Sequence, residues 1–581
     1  MLFGGHPETV SHTAFVMLLY VIWIALIERP LPWRKTVYAV AAIVLAVGVG
    51  ALIAAPFIAP FAEALTKSFR YQELQAHPNE IGYYSDLPSE IVLFQPHIYG
   101  RIPFEKPWNT APAAESITGF AGVIGIAAWF ALLLRAIVRR RFREREVFYV
   151  IGTLIVLGIT LAWPGVSTVF HLVFKLAANA RLRLFLCWFL AAMTGAALNA
   201  VLRERAATLL AGCAVVAAMM WWILHKTFFP TDWNVSTAIM ALLPSMIVVV
   251  LATLFALPRR FRPYVMMVLS VVIVGELWAA SEGWNPVVDA DRMYPTTPLI
   301  AKLQELQRRD WSRAPFRVVG LGPLFFPNAN AIYGIEDIRA HDPMTNGRYL
   351  GFLRVITKYD PDDYFAKWSD PDSQLLNYLN VRYVITDARY RMTDAQRYRE
   401  VYAGKDGRIY ENRDVLPRFF AVRNVMLEFK GYEYVKLLMA HHDWSITGLV
   451  KILPVNGDKM RQDLLAPRPA NAPESSLKIT ESHFTDFRMH ASAPRWTLVV
   501  SSIPWWPGWR VTQNGRAIEP QPVNGPFLGF TVPPGETDIH VWYSPRSFWW
   551  GAACSLFTMA ALAALVWQSS RSRRRAAAQS E

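Results

Sequence analysis

The stretch FWWGAACSLFTMAALAALVW (548–567), with the basic tail RSRRR (571–575) behind it, decides how this chain is read. About twenty apolar residues rising ~1.5 Å each are enough to cross a ~30 Å hydrocarbon layer. Tryptophans at one end suit a membrane–water interface, and arginines at the other mark the cytoplasmic side. Working back from this run, residues 284–547 have the composition of an ordinary soluble domain. Before them lie eight more apolar runs, at 10–27, 37–61, 118–138, 147–163, 182–201, 206–224, 236–257 and 264–280. The run at 10–27 has no basic segment before it and no small-residue cleavage site after it, so it reads as a span and not as a cleaved signal. The sequence therefore predicts a polytopic α-helical membrane protein of about nine transmembrane helices. A large external domain, α/β plus β-sandwich, is inserted before the last helix.

The 581 residues include 59 Lys+Arg against 45 Asp+Glu, a formal charge of +14, and are 53% hydrophobic. That hydrophobicity excludes a disordered chain. A mean hydropathy of +0.21 fits a mixture of spans and one soluble domain. A basic excess can indicate nucleic-acid binding, but position decides. Arg29, Arg34 and Lys35 form one group of cations, and Arg135, Arg139, Arg140, Arg141, Arg143 and Arg145 a second. Arg203 and Arg205, then Arg259, Arg260 and Arg262, then Arg571, Arg573, Arg574 and Arg575 complete the series. All fall on one side of the nine-span topology, the positive-inside pattern. The charge is thus a topology signal, and no nucleic-acid partner is expected. The N-terminus, the 62–117 loop and the large domain are expected outside, the C-terminus in the cytoplasm. Cys187, Cys213 and Cys554 all lie in apolar runs, which leaves no disulfide framework and no cysteine zinc site.

The expected organisation is a membrane domain over 1–283 and an external α/β subdomain over 284–425. A helical connector over 426–474, an external β-sandwich over 475–547 and the last helix with its basic tail over 548–581 complete it. Strand-like runs are FRVVGLG (316–322), VRYVIT (381–386) and WTLVVSS (496–502), and GYEYVKLLMAHHDW (431–444) reads as the connecting helix. Asn514-Gly515 is a hairpin signal, and VPPGE (532–536) a second turn.

Several strings together resemble the bacterial YfhO-type membrane proteins of the GT-C-like glycosyltransferase group. They include GGHPET (4–9), WNPVVDADRMYPTTPLIAKLQ (284–304), PNANAIYGIEDIRAHDPM (327–344) and LLNYLNVRYVITD (375–387). IYENRDVLPRFFAV (409–422), PWWPGWRVTQNGRAIEPQPVNGPFLGFTVPPGE (504–536) and YSPRSFWWG (543–551) follow in order. The resemblance implies transfer of a sugar from a polyisoprenyl-phosphate carrier to an external cell-envelope glycan acceptor, in the bacterial cytoplasmic membrane. Family members are longer at the N-terminus, where an acidic loop supplies the catalytic carboxylate. On that comparison this chain is expected to lack the loop, which leaves the catalytic base unassigned. The alternative is a non-catalytic, truncated or degenerate membrane protein that binds or escorts envelope glycans. A transporter is disfavoured because polar residues within the spans are few, Glu276 and Asn199 being the clearest, whereas transport pathways usually show more intramembrane ionisable groups.

The candidate residues follow from that chemistry. Arg181 and Arg183, at the external end of the fifth span, run against the positive-inside trend and suit a lipid phosphate, which arginine pairs bidentately. Lys175 and His171 lie on the short amphipathic stretch before them. His6 and Glu8, with His12 one turn further in, are candidates near the reaction, although Pro7 and Glu8 also suit a helix start. The loop 62–117 carries Glu63, Glu73, Glu80, Asp86, Glu90, Glu105 and Glu115 with His77 and His97, and is expected to cover the cavity. Trp505, Trp506 and Trp509 are candidates for stacking on sugar rings, or else core aromatics. DPDD (360–363) and DADR (289–292) suit turns better than a metal. No metal site is expected, and no residue here supports a divalent cofactor.

Overall fold

The computed structural model describes residues 7–28, 32–76, 93, 119–140, 142, 144–173, 182–203, 219, 222–223, 258–281, 288–322, 324–342, 344–357, 368–427, 447–450, 458–469 and 471–578. Two compact units emerge, Met1–Gly48 with His77–Val287 and Val49–Ala76 with Val288–Glu581.

The first unit is helical. Its described elements are α1 (Pro7–Trp23), continued as a π-helical turn over Ile24–Glu28, and α2 (Trp33–Ile53), whose last turn lies in the second unit. After α3 (Ala55–Leu65) and α4 (Phe69–Ala76) of the second unit come α5 (Val123–Arg139), α6 (Arg145–Thr160), α7 (Val166–Val173), α8 (Arg183–Arg203) and α9 (Arg262–Ser281). Their shared core includes Val16, Leu132, Phe148, Val156, Phe189 and Met193. Close approach depends on glycine, since a Cβ on Gly152 of α6 would stand 2.8 Å from the Phe189 ring of α8. The polarity of the helices is marked at one end by charge. Arg145, opening α6, donates to Glu28 at the end of the first helix at 2.9 and 3.2 Å, and Arg135 of α5 lies 3.7 Å from Glu144.

Among the described residues three helices are long and apolar enough to cross a membrane: Thr9–Glu28, Trp33–Ile53 and Arg546–Ser572. Shorter apolar helices occupy Arg183–Asn199 and Met266–Ser281. The run expected to span 37–61 is instead broken: α2 ends at Ile53, and α3 starts afresh with Pro56 in its first turn and Pro60 inside. Proline has no N–H to continue the helical ladder and restricts the residue before it, so a pair of prolines divides a run that hydropathy alone joins. The expected span 236–257, most of 206–224 and the helix at 431–444 lie outside the described residues.

The second unit is layered. α10 (Pro298–Asp310) starts at Thr297, whose Oγ1 accepts from the Ile300 N–H, with Pro298 at the first helical position. It presents Leu299, Leu303 and Leu306 to a four-stranded sheet of order β1-β2-β4-β3. These strands are β1 (Arg317–Gly320), β2 (Val381–Thr386), β3 (Tyr398–Gly404) and β4 (Gly407–Asn412). Alternation divides the sheet's side chains: Val318, Tyr383 and Ile385 face α10, while Val319 and Val384 enter the next core. That core holds Phe352 and Leu353 of α11 (Gly347–Thr357), with Tyr378 and Phe527, and continues into a six-stranded sheet.

The six-stranded sheet has the order β5-β10-β14-β13-β7-β6, from β5 (Phe419–Ala421), β6 (Asn424–Leu427), β7 (Thr447–Val450), β10 (Thr497–Pro504), β13 (Gln521–Val523) and β14 (Phe527–Val532). Its other face packs through Phe419, Val499, Leu528 and Phe530 on a five-stranded sheet of order β12-β11-β15-β9-β8. That sheet comprises β8 (Ser476–Ser482), β9 (Asp486–Ala493), β11 (Trp509–Gln513), β12 (Arg516–Ile518) and β15 (Gly535–Tyr543). Asn514 and Gly515, with φ of 47° and 79°, turn β11 into β12, and VPPGE joins β14 to β15. The sandwich reaches back past residue 475, because three short strands between Phe419 and Val450 complete one sheet. α12 (Asp458–Leu465) packs beside them, with Met460 and Leu464 in the core.

The chain leaves β15 for α13 (Arg546–Ala578), which packs on α3 through small residues. A Cβ on Gly551 would clash with the Ala55 backbone and come within 2.8 Å of Pro56 Cα. One helical turn to either side, Ser555 Oγ donates to the Ile53 carbonyl at 2.8 Å and Ser547 Oγ to Glu63 at 2.5 Å. Small residues four apart let two apolar helices touch where the hydrophobic effect cannot drive them together.

Candidate functional site

In the first unit the chemistry gathers at the end of the helices opposite the Arg145–Glu28 pair. Arg183 is the first residue of α8 and is only 1% exposed. It lies against the turn entering α5: a Cβ on Gly119 would be 3.3 Å from its Nε. Gly119 and Gly122 have φ of 126° and 85°, a region that favours glycine, and Gly122 is the residue capping α5. Glu276 of α9 lies against the same turn, since a Cβ on Gly122 would be 3.2 Å from its Oε2. The starts of α5 and α8 and the end of α9 therefore meet around Gly119–Gly122, flanked by one cation and one carboxylate.

An apolar cleft of about 200 Å³ opens beside this point. α1 and its π-helical turn line it from Phe15 to Ile27, α6 from Phe148 to Ile159, and Leu182 and Phe189 close it. Twelve residues of helix give it a length of about 18 Å along α1. Leu182 ties the cleft directly to Arg183. His12, 1% exposed, lies near the same end with its ring 5.7 Å from that of Phe170 in α7. The cleft offers apolar walls to a hydrocarbon chain, and Arg183 follows directly on its lining residue Leu182.

The other expected residues are distributed as follows. His6, Lys175 and Arg181 lie outside the described residues, as do DPDD and nearly all of the 77–117 loop. Glu8 lies in the first turn of α1. Glu63 of α3 accepts from Ser547. Asp289 caps a short helical turn and lies 3.7 Å from Arg292 on an exposed surface. Among the described residues no group of three or more His, Cys, Asp or Glu is placed to hold a metal ion.

The three tryptophans lie on and beside the sandwich. Trp505 packs on the sandwich core, donates its backbone N–H to Pro526 and accepts from Asn346 Nδ2 at 3.0 Å. Trp509 stands at the start of β11, with ring centroids 5.4 Å from Tyr543 and 6.5 Å from Phe487. Trp506 is half-buried in the turn between them.

Two charged clusters escaped the sequence reading. Arg339 and Asp337 are both fully buried, and the Arg339 guanidinium donates to the carbonyls of Gly320, Gly322, Leu324 and Phe325 as well as to Asp337. Arg317 and Arg418 share Glu336 at 3.2 and 2.7 Å, and burial pushes the Arg418 guanidinium down to about 10. The string IEDIR (335–339) holds three of these residues, but nothing in its pattern distinguishes buried pairs from a solvated loop.

Residues 462–555 match the model of the family described as "Bacterial membrane protein YfhO". No curated protein and no solved structure matches the chain. The matched segment runs from α12 through the five-stranded sheet into the first turns of α13, so it joins the sandwich to a membrane-length helix. Over that segment the chain is similar to the YfhO-type bacterial membrane proteins.

Proposed function

We propose that the protein is an integral membrane glycosyltransferase of GT-C-like type. It moves a sugar from a polyisoprenyl-phosphate carrier to a cell-envelope glycan acceptor on the outer side of the cytoplasmic membrane. The observation that carries this reading is the apolar cleft between α1 and α6 with Arg183 beside its end. An isoprenoid chain would occupy the cleft, and the guanidinium would hold the phosphate and the charge it gains as the sugar leaves. The alternating cations support a nine-span topology with the helix ends around Gly119–Gly122 outside. The opposition of the Arg145–Glu28 end to the Arg183 end agrees with that arrangement. In this topology the sandwich is external and presents the acceptor, and Arg181 and Lys175 assist at the phosphate.

The test is binding of polyprenyl phosphate to the full-length protein in nanodiscs, followed by transfer from a polyprenyl-phosphate-linked sugar. Arg183→Lys should weaken binding at least tenfold, because an ammonium cannot reproduce the guanidinium fork. Ile155→Trp, which fills the cleft, should weaken it independently. Binding unchanged in both variants would remove the site. Tight lipid binding with no transfer from any donor would favour the non-catalytic glycan escort instead.

A further inference from the structure

We infer that Glu276 is the group that takes the proton from the acceptor hydroxyl, an inference that rests on the transferase reading above. Glu276 is the only Asp, Glu, Lys or Arg between Pro263 and Ser281, and it lies in an apolar helix. A carboxylate at such a place is costly, and a functional role is the ordinary reason one is found there. It faces the start of α5, 3.2 Å from where a Gly122 Cβ would stand, and the missing Cβ is what admits it. Glu276 is half-buried where Arg183 is fully buried, so the carboxylate is the more accessible of the two to an incoming acceptor.

Both groups lie by the same short segment. Gly119 and Gly122 are three residues apart, hence no more than about 10 Å. The two charged groups flank this short segment, each against one of its glycines. In inverting sugar chemistry the proton acceptor and the leaving group sit on opposite faces of the ring, with the functional groups several ångströms apart. In the step, the acceptor O–H bond breaks and its proton passes to a Glu276 carboxylate oxygen. The acceptor oxygen bonds to the anomeric carbon, the bond from that carbon to the phosphate oxygen breaks, and the electron pair leaves with the polyprenyl phosphate beside Arg183. Glu276 then returns its proton to water.

The experiment uses the full-length protein in nanodiscs with a panel of synthetic polyprenyl-phosphate-linked hexoses and an envelope glycan acceptor. Glu276→Gln keeps size and polarity but cannot take the proton. It should lower kcat by about 10²–10⁴-fold while the dissociation constant for polyprenyl phosphate stays within twofold. Glu276→Asp should retain part of the activity. If Gln fails to fold, the Asp variant decides, a lowered kcat at unchanged lipid affinity supporting the assignment. A wild-type rate in Glu276→Gln overturns the role of Glu276 and leaves the transferase reading standing. A parallel loss of lipid affinity and melting temperature in both variants marks a merely structural residue and also overturns it. Absence of transfer by the wild type with every donor overturns both.

Discussion

Arg339→Met is the sharpest test of how the second unit is held together. Arg339 and Asp337 have no exposed side-chain surface, and five carbonyl or carboxylate groups depend on this one guanidinium. Methionine preserves much of the volume, so the loss is electrostatic and not a cavity. Removing one partner of a buried pair costs about 3–5 kcal/mol, because the remaining charge is left in a poor solvent. In a unit of this size that corresponds to a fall in melting temperature of roughly 6–20 °C. The double variant Asp337→Leu with Arg339→Met removes the orphaned carboxylate and should recover part of the loss. It should not recover all of it, because the carbonyls at Gly320, Gly322, Leu324 and Phe325 still lack their donor. The assay is thermal unfolding of the detergent-solubilised full chain, followed by tryptophan fluorescence. A single variant within about 1 kcal/mol of wild type, or a double variant worse than the sum of the two singles, would refute the reasoning.

Glu336→Gln leaves Arg317 and Arg418 without their shared carboxylate, and a destabilisation of about 3–5 kcal/mol is expected by the same thermal measurement. Gly551→Leu should separate α13 from α3 and cost about 1–3 kcal/mol, whereas Gly48→Leu, where no atom lies within 4 Å, should be neutral; equal effects would remove the packing argument. His490 is held by Asp538 and Glu536, each at 2.8 Å, and these hydrogen bonds raise its pKa. Its contribution is therefore fully present below the ordinary histidine value near 6.5 and lost as pH rises through the raised one, so His490→Asn should lower the melting temperature more at about pH 5 than at about pH 9.

Local pattern made much of the architecture legible. VRYVIT is the whole of β2, WTLVVSS supplies most of β10, and Asn514-Gly515 is the hairpin turn. These are short-range matters of β-branching, positive φ and alternation, which need no knowledge of the rest of the chain. The sandwich boundary was less legible, because β5, β6 and β7 have three or four residues each and are strands only through pairing with distant partners. Likewise hydropathy joined α2 to α3, and Pro56 and Pro60 parted them.

The site divides in the same way. Arg183 stood out in the sequence because an arginine on the expected external side breaks the positive-inside trend, whereas Glu276 was only one of the few polar residues in the apolar runs, with Asn199. Composition and order alone also determined the membrane character, the direction of charge and the family resemblance. Only the tertiary structure brought Arg183 to Gly119 and Glu276 to Gly122, with an apolar cleft beside Leu182. That depends on which helix ends meet and on two missing Cβ atoms, a three-dimensional coincidence among residues 119, 122, 183 and 276 that no local periodicity records.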